Sequence, residues 1–443
     1  MTTDARLAWL MALGEVERSA ILAGFSKAER DGLRYHWELW ARTRQLPPPG
    51  DWRVWLICAG RGFGKTRAGS EWVRHIARSD PNARIALIGA SLAETRAVMV
   101  EGESGILACC PPRNKPRYEP SLRRLTFPNG ASATLYSASE PDSLRGPQHS
   151  HAWCDEAAKW EVAGERAGKA WDNMLMGLRL GEMPRVLVTT TPRAVPLMRK
   201  LMAGDADGKT VIVRGQSKDN ASNLPTRFLH DMERDYGGTA LGRQELDGEL
   251  LLDVDGALWT RSLIERCRAK DEGGDLSRVV VGVDPPASAR GDACGIVVAA
   301  LGSDGVARVM ADCSVTKPTP ERWARAAAAA AAAWHADRIV AEANQGGAMV
   351  ESVLRAVDVN LPVRLVHASR GKVARAEPVA ALYEAGRVLH VGAFPELEDE
   401  LAGLSIGGEY NGPGRSPDRA DALVWALTEL MLGAQGRPRV WMQ

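Results

Sequence analysis

The stretch Ala59-Gly60-Arg61-Gly62-Phe63-Gly64-Lys65-Thr66 constrains this chain more than any other. It follows the apolar run Val54-Trp55-Leu56-Ile57-Cys58, which reads as a buried strand. After it come Arg67 to Ala77, where Ala68, Trp72, Val73 and Ile76 recur at helical spacing. A glycine-rich loop between a strand and a helix N-terminus is a phosphate cradle, because backbone N–H groups point inward and the helix dipole favours anions. Lys65 is then placed to reach terminal phosphates and the Thr66 hydroxyl to hold Mg²⁺, with Gly60, Gly62 and Gly64 forming the cradle. The pattern departs from G-x-x-x-x-G-K-[ST] at its first position, where Ala59 replaces glycine. We read it as a nucleoside triphosphate site.

At 443 residues the chain is long for one domain, and two are expected. A net charge of +1 means that contact with a polyanion must come from local basic patches. Seven cysteines are scattered without a C-x-x-C, which argues for reduced thiols in a cytosol and against a disulfide or zinc scaffold. The start Met1-Thr2-Thr3-Asp4 does not read as a secretory signal, and no apolar run reaches the roughly 20 residues of a membrane span, so no membrane partner is expected.

Residues 1 to about 45 read as helical, with Leu7, Leu10, Leu13, Leu22 and Phe25 as apolar stripes, until Pro47-Pro48-Pro49-Gly50 breaks the pattern. Arg84 to Gly89 is a second buried strand, Leu122 to Tyr136 a hairpin around Pro128-Asn129-Gly130, and Arg185 to Thr191 another strand. Strands alternating with helices imply a mostly parallel sheet with its ligand at the carboxyl ends. Residues 205–252 are polar and helical, a lid-like appendage to a first domain of 1–252; 253–275 reads as a linker. A second domain, 276–443, starts at Arg278-Val279-Val280-Val281-Gly282-Val283-Asp284. Two further strands, a helix with eight alanines from Ala326 to Ala333, and a strand ending on Glu342 follow.

A nucleotide hydrolase needs a carboxylate for Mg²⁺ and another to orient the attacking water. Asp155 and Glu156, after the apolar Ala152-Trp153-Cys154, supply these in that order. Arg61 and Arg145 are candidate cations for the charge that develops on phosphate, and Thr189 to Thr191 offer hydroxyls at a strand end. In the second domain Asp284 and Glu342 end two strands, while Asp418 and Asp421 lie near the start of the helix from Ala422 to Leu432. Such acids, gathered on one sheet edge, would hold two divalent ions for phosphodiester cleavage, with Mg²⁺ or Mn²⁺ preferred by hard oxygen ligands. Spacing alone leaves open a set of unrelated strand-end acids; Asp292 and Asp312 are weaker candidates. Basic residues Arg113, Lys115, Arg117, Arg123 and Arg124 around Tyr118, and Lys372 with Arg375, offer contacts to a polyanion.

The chain resembles the large terminase subunit of tailed bacteriophages and related gene transfer agents. The resemblance rests on Gly60 to Thr66, Leu144-Arg145-Gly146, Trp153 to Glu156, Thr189-Thr190-Thr191-Pro192, Asp219-Asn220-Ala221, Leu241 to Leu246, Asp284, Glu342 to Gly347, and Asp418 to Ala422. It implies an ASCE-like P-loop ATPase followed by an RNase H-like nuclease, an α/β protein throughout. Lys65 and Thr66 would take ATP and Mg²⁺, with Asp155 on the metal and Glu156 catalytic. Arg61 would act in cis and Arg145 on a neighbouring subunit, Thr190 and its neighbours would couple hydrolysis to movement, and Gln45 would contact adenine. Asp284, Glu342 and Asp421 match the nuclease acids, with Asp418 undecided, and Gly407 to Gly414 falls where the family has a hairpin. Expected partners are double-stranded DNA, a portal protein, a small terminase subunit and further copies in a five-membered ring, in a bacterial cytoplasm. A helicase-like repair ATPase–nuclease and an ATP-gated assembly protein that cuts nothing are the competing readings.

Overall fold

The computed structural model describes residues 35–432 except 164–165, 205–207, 253, 270–273, 287–292, 318, 345, 369–370 and 408. Before these it describes only 9, 13–14, 17, 20–21, 23–26 and 32–33. Leu7, Leu10, Leu22 and Asp292 therefore lie outside the described residues, and Leu13 and Phe25 fall in bends. The chain forms two compact units, one reaching Asp235 and including Leu241–Leu251, the other comprising Tyr236–Ala240 and everything from Leu252.

The first unit is built on eight strands: β1 (Val54–Ala59), β2 (Arg84–Gly89), β3 (Arg117–Glu119), β4 (Arg124–Thr126), β5 (Ser132–Ser137), β6 (His151–Asp155), β7 (Arg185–Thr190) and β8 (Thr210–Gly215). Their order is β3-β4-β5-β2-β6-β7-β1-β8, parallel from β5 to β8, with an antiparallel β3-β4-β5 edge that contains the expected hairpin. Every residue of β1 is buried, so its side chains serve both faces of the sheet. Trp55 and Ile57 pack with Trp72 and Val73 of α1 (Lys65–Ser79) on one face. Leu56 and Cys58 pack on the other with Trp171 and Met174 of α2 (Arg166–Gly177) and Met198 of α3 (Pro196–Ala203). Each such side chain contributes about 1.5–3 kcal/mol of burial. The region expected to be wholly helical after residue 205 is corrected by β8, whose Thr210-Val211-Ile212-Val213 pairs in register with β1. A half-buried edge strand has too short an apolar alternation to stand out from its polar surroundings.

In the second unit the strands are β9 (Leu276–Asp284), β10 (Ala293–Gly302), β11 (Ala307–Asp312), β12 (Val315–Thr316), β13 (Arg338–Glu342), β14 (Val363–Val366) and β15 (Val388–His390). The order is β14-β13-β9-β10-β11-β15, with β12 paired to β10. The β9-β10-β11 meander is antiparallel and β13 and β14 run parallel to β9. The alanine-rich helix, α4 (Pro320–Ala333), lays Ala324, Ala327 and Ala330 on Val281 and Ile296, joined by Leu354 of α5 (Ala348–Val357). The opposite face carries α6 (Lys372–Glu384), α7 (Pro395–Ala402) and α8 (Asp418–Leu427). Trp259, Leu263, Ile264 and Cys267, from the stretch expected as a linker, are buried in that core. The polar residues between them mask this in the sequence.

Two glycines set how close α8 lies. A β-carbon on Gly282 would stand 2.0 Å from the Ala422 carbonyl oxygen, and one on Gly295 1.9 Å from that of Asp418. Only their absence lets the helix rest on the sheet backbone.

Candidate nucleotide and nuclease sites

The first site forms where β1, β7 and β6, adjacent in that order, end together. The loop after β1 closes through Gly64, whose φ of +91° no side-chain-bearing residue adopts easily, and α1 starts at Lys65. Lys65 is 6% exposed. Its ammonium donates to the carbonyl oxygens of Ala59 (2.8 Å) and Gly60 (3.2 Å) and to Thr191 Oγ1 (3.0 Å), and lies 3.6 Å from Glu156 Oε1. Glu156 has a φ of +45°, an uncommon backbone state for a non-glycine residue. Its Oε2 accepts the Thr191 amide at 3.0 Å, which fixes the carboxylate over the end of β7. Asp155, just before it, accepts from Thr189 Oγ1 at 2.6 Å. Burial, and then the neighbouring Glu156 charge, push the Asp155 carboxyl up to about 6. A carboxylate so destabilised is suited to a divalent cation.

The members of the threonine run divide their roles. Thr191 touches both Lys65 and Glu156, whereas the Thr190 hydroxyl donates to the Thr191 carbonyl and accepts the Ala158 amide. Thr66 is the second residue of α1. Arg61 is turned to Glu245, with which it makes an ion pair. Arg145 is exposed after the turn Pro141–Leu144 and has no ion pair among the described residues. Gln45 is buried against the phosphate loop, donating from Nε2 to the carbonyls of Phe63 and Gly64, each at 3.3 Å.

The second site gathers acids from β9, β13 and α8. Asp284 ends β9 and Glu342 ends the parallel neighbour β13, while Asp418 and Asp421 occupy the first turn of α8. Asp418 and Asp421 are 8% and 4% exposed. Burial, with repulsion from Asp421 and Glu342, raises the Asp284 carboxyl well above the usual range, so the four carboxylates share one field. Among the described residues no three His, Cys, Asp or Glu side chains are closed up as a metal cage. Two cations of α6 stand among the acids instead. Lys372 Nζ lies 2.5 Å from Asp421 Oδ2, and Arg375 lies 3.2 Å from Glu342 and 3.4 Å from Asp421, stacked 4.6 Å from the Trp425 ring. Trp425 Nε1 donates to Glu342 at 2.8 Å. Asp421 Oδ2 is buried with the Lys372 charge beside it but no aligned hydrogen bond. The donor set is one of hard carboxylate oxygens, with Lys372 and Arg375 set among them.

Two family models match the chain: the N-terminal part of the terminase large subunit of the T4-like-virus type over residues 56–266, and the terminase RNaseH-like domain over residues 281–430. The chain belongs to the terminase large-subunit family. It is thus a DNA-packaging ATPase joined to an RNase H-like nuclease. Similar solved structures include a large terminase from a thermophilic bacteriophage, at 12% identity, covering 92% of this chain and 99% of that one with a TM-score of 0.39. The HK97 bacteriophage large terminase is 14% identical over 91% of this chain and 95% of that one, TM-score 0.39. The ATPase domain of the Thermus phage P74-26 large terminase is 16% identical over 48% and 94%, TM-score 0.37. No match to a curated protein was found.

Of the residues singled out from sequence, Lys65, Asp155 and Glu156 come together around β7, and Asp284, Glu342, Asp418 and Asp421 around α8. Asp312 does not join them; it pairs with Arg419 at 3.1 Å. Lys372 and Arg375, read as contacts to a polyanion, face the acids. Arg117, Arg123 and Arg124 pair with Glu119 or Glu140. Arg42 carries no signal in the sequence, and Thr191 and Glu245 are legible only as members of longer motifs; what each does emerges from what it touches.

Proposed function

We propose that this chain hydrolyses ATP at the Lys65–Glu156 site to drive double-stranded DNA into a preformed shell, and cuts that DNA at the Asp284–Glu342–Asp421 site. The Lys65–Thr191–Glu156 contact at the end of β7 carries the reading, because it sets a phosphate-binding ammonium and a carboxylate base side by side. Lys65 neutralises the terminal phosphates, and Glu156, held by the Thr191 amide, orients the attacking water and accepts its proton. Thr66 and Asp155 would hold the Mg²⁺ of the nucleotide, Arg61 and Arg145 would balance phosphate charge, and Gln45 would reach adenine.

In the second site Asp284, Glu342, Asp421 and Asp418 would hold divalent ions, Mg²⁺ or Mn²⁺, which when bound supply the charge that activates water and stabilises the leaving oxygen. Trp425 and Arg375 hold Glu342 in place for this. DNA is gripped by its phosphates, since a motor indifferent to sequence cannot depend on base edges. The working assembly is a ring, five copies in this family, on a portal protein, with a small terminase subunit, in a bacterial cytoplasm. The test is Glu156→Gln in the full chain: nucleotide binding persists while ATP turnover and DNA filling both cease. Filling at the normal rate would overturn the motor.

A further inference from the structure

Each carbonyl of the loop from Gly60 to Gly64 accepts a hydrogen bond, and most of the donors come from two distant segments. Gly60 O accepts from Lys65 Nζ at 3.2 Å, and Arg61 O from Ser217 Oγ at 2.6 Å. Gly62 O accepts from Asn220 Nδ2 at 2.6 Å, Phe63 O from Arg42 and Gln45, and Gly64 O from Gln45 Nε2 and the Ala68 amide. The donors to Arg61, Gly62 and Phe63 thus come from residues 42–45 and 217–220, on either side of the β1 loop in sequence.

These two segments are tied to each other. The Arg42 guanidinium donates to Asn220 Oδ1 with one nitrogen and to Phe63 O with another, and lies 4.8 Å over the Phe63 ring. Asn220 is 9% exposed; its Nδ2 donates to Gly62 O, and its Oδ1 accepts from Arg42 and from Asn223 Nδ2 at 2.9 Å. A peptide carbonyl drawn outward turns the N–H of the same peptide plane inward, and an inward carbonyl would repel a phosphate oxygen. We propose that Arg42 and Asn220 form a clasp that fixes the two peptide planes carrying the Gly62 and Phe63 carbonyls: the Phe63 N–H then closes the loop on Gly60 O at 3.4 Å, and the Gly64 N–H, in the plane of the Phe63 carbonyl, is turned toward the nucleotide, making both positioning residues for its β-phosphate. The proposal rests on the nucleotide-site reading above.

The test compares ADP and AMP as ligands of the full chain, by competition against a fluorescent ADP with Mg²⁺ present. Asn220→Ala and Arg42→Lys are each expected to weaken ADP about tenfold or more while AMP changes less than about threefold. The double variant should be little worse than either single one, as members of one network are not additive. Equal losses for ADP and AMP, or ADP within about twofold of wild type in both variants, would overturn the clasp. Wild-type protein that binds neither nucleotide would remove the underlying site reading, and the clasp with it.

Discussion

The two sites solve the same problem, holding carboxylates near phosphate, with opposite economies of sequence. In the first unit the cation and its backbone cage are neighbours, Lys65 bonding to the carbonyls of Ala59 and Gly60, and one strand end supplies both acids. In the second the acids come from Asp284, Glu342, Asp418 and Asp421, and the cations Lys372 and Arg375 from a separate helix. A cage made by a single loop is set by local dihedral angles. A cluster drawn from two strands and a helix is set by the packing of the whole unit.

The largest effect expected from this contrast is at Lys65. Lys65→Ala should lower ATP turnover at least about 10³-fold, while Mn²⁺-dependent plasmid nicking by the same protein stays within about twofold. Phosphate release and gel assays read the two. Loss of both activities would mean the sites are not separable.

Next in size is a structural pair in the second unit. Glu398 is 3% exposed and lies 2.6 Å from Arg268 and 3.1 Å from buried His390, which is also bonded to Tyr383. The His390 and Arg268 hydrogen bonds hold Glu398 down at about 2 despite its burial. Glu398→Ala leaves Arg268 with Glu265 as its remaining counter-charge and takes the buried His390 Nδ1 partner away, and should cost about 3 kcal/mol. Unfolding should accordingly occur at lower denaturant in the second unit, with exchange protection in β1 to β8 unchanged.

Acid separates the units further. Burial pushes His149 and His151 down to about 4, so the first unit carries stability above pH 6.5 that is lost as pH falls toward 4. Asp155, raised to about 6, acts in the other direction there but offsets only part of two histidines. In the second unit Glu400 is raised by burial to about 7, so lowering pH from 7 to 4.5 relieves it, and Glu398 begins to be lost only below 4.5. Calorimetry between pH 7 and 4.5 should show the first unit weakening while the second holds or gains. Parallel decline would break the contrast. The smallest effect is within the threonine run, where Thr191→Val should lower ATP turnover about tenfold and Thr190→Val less than about threefold.

This division also explains what could be read in advance. The phosphate loop, β1 and the Asp155–Glu156 strand end are contiguous patterns, and a loop with glycines where positive φ is needed announces itself. The nuclease acids were open by spacing alone, since nothing in the sequence around Asp284 says which of Asp312, Asp418 or Asp421 will face it. Trp259 and Cys267 read as linker in the sequence because their partners, Tyr383 and the β15 region, lie more than a hundred residues on. Lys372 and Arg375 carry charge that suits DNA and acids equally, and only the fold of α6 chooses. That Thr191 and not Thr190 meets Lys65 follows from where β7 ends, a matter of one residue that propensity does not resolve.

The missing side chains of Gly282 and Gly295 have a consequence for how freely the nuclease half can drift in sequence. Because α8 rests directly on main chain there, the spacing between Asp284 and the two aspartates of α8 has no adjustable spacer. A single methyl group at either position would lift the α8 aspartates by more than the few tenths of an ångström that the proposed metal coordination tolerates. Cutting would then be extinguished by a substitution that touches no acid and leaves packaging by the other half intact.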